Sequence, residues 1–105
     1  MAIAERSGLD LKVVAEALAS GQAASPQVVR NVRRIAAHDH TNPVFTPQLR
    51  LKDVGYGLRL TASLGLGTPF GALAERMFRQ LCELGLAPEN ESQIIEVARR
   101  QPLER

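Results

Sequence analysis

Three hydroxyl-proline pairs, Ser25-Pro26, Thr46-Pro47 and Thr68-Pro69, divide the 105-residue chain. Each joins a side chain able to cap orphan backbone N–H groups to a proline whose fixed φ suits a first helical position. Between these starts and the glycines that follow them, apolar residues recur at three- and four-residue steps. The spacing predicts an all-α fold of five to six helices in a single compact domain, residues 1–105.

In detail, Met1 to about Ser7 reads as the end of a helix closed by Gly8. Asp10 caps a second segment, Leu11 to Ser20, whose Val14, Ala17 and Leu18 form a stripe before Gly21 ends it. The third helix runs from Pro26 to about His38, with Val28, Val29, Val32, Ile35 and Ala36 inward and Arg30, Arg33 and Arg34 on the wetter side. The fourth and longest ends near Leu64 at Gly65. The fifth ends at Gly85, with Phe70, Leu73, Met77, Leu81 and Leu84 along its inner face. Asn90, with Gln93 three residues on, has the form of a capping box for a last helix that packs through Ile94, Val97 and Ala98. The tail after Pro102 is expected to fray. The helices differ in length and pattern, so no solenoid repeat is present.

Composition agrees. The 45% apolar content rests on aliphatic residues and alanine, with four aromatic residues in all, which suits close-packed helices better than a sandwich of strands. Thirteen basic against eleven acidic side chains leave a net charge of only +2 and no basic tract, so no nucleic-acid partner is expected. The lone Cys82 allows no internal disulfide, no apolar run reaches the roughly 18 residues of a membrane span, and no secretory signal is visible. These features point to a reducing, cytoplasmic compartment and no membrane partner.

Among chemistry-bearing residues, His38-Asp39-His40 has metal-ligand types but no third ligand nearby, and reads as a polar helix end. Cys82 lies beside the apolar stripe near Phe78 and reads as a small core residue. Arg30, Arg33 and Arg34 lack an aromatic platform and read as a solvated face, and Arg99-Arg100 as cations favoured near a helix C-terminus. The fourth helix is more informative. Lys52, Tyr56 and Arg59 share one face, giving two cations and a phenol suited to an anion, while Asp53 projects about 100° from Lys52 and is not expected to pair with it. Gly55 and Gly57 each cost about 1 kcal/mol inside a helix relative to alanine. That cost is explained either by close helix packing or by a ligand or second domain approaching the backbone, and both readings stand.

Taken in order, Ala4-Glu-Arg-Ser-Gly8-Leu-Asp10, Glu16-Ala-Leu with Gly21 and Ser25, Phe45 with Leu49 and Lys52-Asp53-Val54-Gly55, Gly65 and Pro69, and Leu81-Cys-Glu-Leu-Gly85 resemble the helical C-terminal domain of the β-hydroxyacid dehydrogenases. The resemblance covers nearly the whole chain and lies nearest the 3-hydroxyisobutyrate and tartronate semialdehyde enzymes, with a fold like the C-terminal domain of 6-phosphogluconate and 3-hydroxyisobutyrate dehydrogenases. It implies a partner Rossmann domain binding NAD or NADP, a role in completing the cofactor and substrate cleft, and a homodimer. The family motif K-D-L-G-x-A-x-D appears as Lys52-Asp-Val-Gly-Tyr-Gly-Leu-Arg59, implying that Lys52 reaches toward the cofactor, that Asp53 and Gly55 shape its surroundings, and that Phe45 packs near the same rim. Gly57 and Arg59 depart from the motif. The family's glycine-rich nucleotide loop, its D-G-P-V-S-G-G stretch and the helix bearing its catalytic lysine would lie before Met1. No catalytic residue or metal ligand is therefore expected here, and the isolated chain is expected to be inactive. The alternative is a non-catalytic homodimerisation module derived from that domain.

Overall fold

The computed structural model describes residues 1–104 and is helical throughout, with no strand among them. Six α-helices follow in order: α1 Ala2–Arg6, α2 Leu11–Ala19, α3 Pro26–Ala37, α4 Pro47–Ser63, α5 Pro69–Leu81 and α6 Ile94–Arg99. A wide turn, Cys82–Leu86, extends α5, and a single 3-10 turn, Glu91–Gln93, precedes α6.

The local signals act where their geometry is local. The Asp10 carboxylate accepts from the Lys12 and Val13 amides, Ser25 Oγ from Val28, and Thr46 Oγ1 from Leu49. Gly8, Gly65 and Gly85 take φ of 72°, 71° and 84°, the left-handed backbone that ends a helix without a Cβ clash. Thr68 starts α5 without a side-chain cap. Gly21 is not left-handed, and α2 ends at Ser20 in ordinary helical geometry. The capping box does not form: Asn90 gives no side-chain cap to the turn after it, because its amide is engaged elsewhere.

α2 packs on α3 and α4 on α5, while α6 closes against α5 and touches α1. Ala4, Ala15, Val32, Ile35, Leu81, Ile95 and Val97 form the buried core. Two apolar stripes differ from expectation. On α2 the buried residue is Ala15, with Val14 half-buried and Ala17 and Leu18 exposed, a rotation of about 100° from the expected centre. On α5 Leu81 is fully buried, but Phe70 is 89% exposed, and Leu73 and Leu84 are also on the surface. The periodicity holds, but no element among the described residues covers it. A chain of this length packs to a radius of gyration of about 13 Å; the observed 14.7 Å goes with Leu60, Leu64, Leu66 and Phe70 standing exposed on the α4–α5 pair.

Close helix contact occurs at a glycine other than the two on α4. A Cβ at Gly71, on α5, would stand 3.1 Å from Leu58 Cδ2 across the α4–α5 interface. At Gly57 it would meet nothing within 4 Å, and at Gly55 only the Arg59 guanidinium, 3.4 Å away. Helix packing within the chain therefore does not account for Gly55 or Gly57.

Candidate functional site

The N-terminal end of α4 is held by a buried polar cluster. Glu91, 3% exposed, accepts through Oε1 from Gln27 Nε2 and Asn31 Nδ2 of α3, each at 3.1 Å. Its Oε2 accepts from Arg50 Nε at 2.8 Å and lies 2.7 Å from Arg50 Nη2. A buried carboxylate requires that degree of compensation, since desolvation without partners costs several kcal/mol per ion. Asn90, fully buried, accepts at Oδ1 from the Val44 amide and donates from Nδ2 to Asn31 Oδ1 and Ser92 Oγ. The backbone of the same turn joins in: the Asn90 and Glu91 amides donate to the carbonyls of His40 and Phe45.

Phe45 is thus held twice by one residue. Its carbonyl takes the Glu91 amide, and its ring stacks under the Arg50 guanidinium, 4.3 Å away, which Glu91 fixes in turn. Arg34 closes the loop from the other side, donating to the Thr41 and Asn42 carbonyls, so it clamps the loop rather than lying on a solvated face. Arg33 pairs with Glu16 across α2 and α3, and this partner holds the Glu16 carboxyl below the usual carboxylate range. Arg30 is half-buried, with Nε lacking a partner among the described residues.

Two turns along, α4 presents Lys52, Tyr56 and Arg59 to solvent. Lys52 Nζ lies 6.0 Å from the Tyr56 ring centroid and Arg59 Cζ 4.8 Å from it, so the shared face exists as read from spacing. The Lys52–Asp53 reading needs correction: Nζ and Oδ1 stand 3.6 Å apart. The flexible lysine stem spans the angle between neighbouring side chains, although a pair half exposed at both ends contributes little. Gly55 is half-buried on the Lys52–Arg59 side of the helix, and Phe45 is half-buried at its N-terminal end.

His40 is not merely a surface turn. Its Nδ1 lies 2.7 Å from Ser92 Oγ, and burial pushes the imidazole pKa below its usual value, against the opposing fields of Glu89, Asp39 and Glu96. The Thr41 hydroxyl and amide lower the Asp39 carboxyl. No group of three or more metal-ligating side chains occurs among the described residues. Cys82 is half-buried, its thiol pushed up by burial. Arg99 makes a bidentate pair with Glu5 at 2.7 and 2.8 Å and also pairs with Glu96, so its task is to join α6 to α1. The larger apolar cleft, about 510 Å³, lies away from the Lys52 face, between α1, α5 and α6 and lined by Met1, Ile3, Ile35, Met77 and Ile94.

A family model described as the NAD-binding part of NADP-dependent 3-hydroxyisobutyrate dehydrogenase matches residues 1–98. The chain belongs to this family. In fold, this 3-hydroxyisobutyrate dehydrogenase-family domain is similar to the 3-hydroxyisobutyrate dehydrogenase of Salmonella typhimurium, with a TM-score of 0.86 at 23% identity over 91% of the chain. It spans 33% of that enzyme's length. No curated protein matches it. Membership associates the domain with a nicotinamide cofactor. No helix among its described residues is long and apolar enough to cross a membrane.

The resemblance implied a cofactor role for Lys52, Asp53, Gly55 and Phe45; Lys52 and Asp53 lie on the second turn of α4, Gly55 on the third, and Phe45 just before the helix. Sequence reading missed Glu91, Asn31 and Arg50, and took Asn90 for a helix cap only. One signal was available in Glu89-Asn-Glu-Ser-Gln93: five consecutive polar residues before the apolar Ile94 and Ile95, too many for one cap.

Proposed function

We propose that this is the helical domain of an NAD- or NADP-dependent β-hydroxyacid dehydrogenase of the 3-hydroxyisobutyrate type, forming one wall of a cleft whose other wall is a Rossmann domain. Lys52 faces the cofactor, Asp53 and Gly55 shape its surroundings, and Phe45 forms the rim. The observation that carries this is an exposed cationic face built on a helix whose first turns are anchored by a buried, fully paired carboxylate. Anchoring of that kind preorganises a binding group.

The donor set fits a dinucleotide: a lysine, an arginine and a phenol on one face of α4 favour phosphate and amide oxygens. When bound, the nicotinamide would supply the hydride acceptor, and this chain's residues would hold and orient it. The face is open on its outer side, so it serves as half a site. The isolated chain therefore turns over no substrate. Incubation with NAD or NADP and a panel of 2- and 3-hydroxy acids, followed by nicotinamide absorbance, is expected to show no reduction. Turnover would refute the half-site reading.

A second role rests on the exposed α4–α5 pair. Leu60, Leu64, Leu66, Phe70 and Leu73 present apolar surface that a monomer in water seldom leaves open, and we assign it to homodimerisation. If the chain acts apart from a Rossmann domain, this is the function that remains. Sedimentation equilibrium decides it: a dimer is expected, and a monomer at high concentration would contradict it.

A further inference from the structure

Lys52, Gly55, Tyr56 and Arg59 fall within an arc of about 100° on α4. Their charges are differently committed. Arg50, on the inner side, is spent on Glu91, and Lys52 is shared with Asp53 at 3.6 Å. Arg59 has no carboxylate within ion-pair distance among the described residues; its guanidinium lies over the Tyr56 ring, 4.8 Å from the centroid. A Cβ at Gly55 would stand 3.4 Å from Arg59 Nη1, an ordinary contact with the end of a flexible side chain. Both cations are seated against the same ring, so their separation cannot exceed the two ring distances combined. The Tyr56 phenol adds a hydroxyl donor, and among the described residues the carboxylate within ion-pair distance of Lys52 is that of Asp53.

We infer that Arg59 is a second anion-binding residue beside Lys52, and that the pair, with Tyr56 between them, selects a phosphate carrying two or more charges over a single carboxylate. The inference rests on the reading of this face as a ligand rim and adds what the rim takes. A lone lysine partly neutralised by Asp53 is a weak, unselective point charge. A guanidinium stacked on an aromatic ring keeps its N–H edge free and oriented for phosphate oxygens.

The test titrates the whole chain with inorganic pyrophosphate and, separately, acetate, at low ionic strength, following backbone amide shifts. Wild type is expected to bind pyrophosphate far better than acetate, with shifts centred on Lys52 to Arg59. Lys52→Ala and Arg59→Ala are each expected to weaken binding about tenfold, the worth of one charge-assisted contact. NADPH and phosphoglycolate then distinguish a cofactor phosphate from a phosphorylated substrate.

If Lys52→Ala weakens binding and Arg59→Ala does not, the inference on Arg59 is overturned and the Lys52 rim stands. Equal affinity for acetate and pyrophosphate overturns the selectivity. If pyrophosphate fails to bind, the inference falls, and NADPH titration still judges the rim on its own.

Discussion

Replacing Glu91 by Gln removes one charge from the best-satisfied buried group in the domain and leaves its volume almost unchanged. The carboxylate accepts from Gln27, Asn31 and Arg50, all N–H donors. A carboxamide offers one acceptor oxygen, so its NH2 must face either the two side-chain amides or the guanidinium. Either choice sets donor against donor. Breaking a fully buried pair costs about 3–5 kcal/mol. Arg50 keeps 28% of its side chain exposed and can regain some water, which lowers the expected loss to roughly 2–4 kcal/mol. For a domain near this length each kcal/mol moves Tm by about 4–8 °C, so urea and thermal unfolding both resolve the effect. Arg50→Met is expected to be costly for the same reason, and the double variant less costly than the sum, because no uncompensated charge remains. A Glu91→Gln loss below about 0.5 kcal/mol, the range of an ordinary surface change, would refute the anchoring role.

Gly57→Ala should stabilise the domain by about 0.5–1 kcal/mol, since the position is helical and an added Cβ meets nothing within 4 Å; a fall in Tm would show an unseen contact. His40 has a folded pKa below its ordinary 6.5, so the fold favours the neutral ring. Its contribution is complete above pH 6.5 and is lost as pH falls from there through the lower folded value, and His40→Gln should flatten that part of a stability–pH curve. An unchanged slope would remove His40 from the balance. Phe70→Ser, at a side chain 89% exposed, should leave monomer stability within about 0.5 kcal/mol and weaken self-association in sedimentation; unaltered association would place the dimer contact elsewhere.

Helix starts and stops were legible because their causes lie within three or four residues: Asp10, Ser25 and Thr46 cap, and Gly8, Gly65 and Gly85 turn left-handed. Where the same motif failed, a competing geometry or bond explains it. Thr68 adopts a backbone that makes no side-chain cap, and Asn90 is drawn off by Val44 and Asn31. Periodicity told which residues share a face of α5 but could not tell that Phe70 and Leu73 would stand uncovered. Within the candidate site, Lys52, Tyr56 and Arg59 were legible because a single helix carries them. The support beneath was not, since Glu91 finds its donors 41, 60 and 64 residues away. No local pattern encodes such a pairing.

The claim that the Lys52 face is the cofactor wall is tested most directly by titrating the isotopically labelled chain with millimolar NADPH and mapping the amide shifts. A contiguous patch at Phe45 and from Lys52 to Arg59 is expected, and it should disappear in Lys52→Ala. Shifts confined to the apolar cleft between α1, α5 and α6, or no shifts at all, would contradict it.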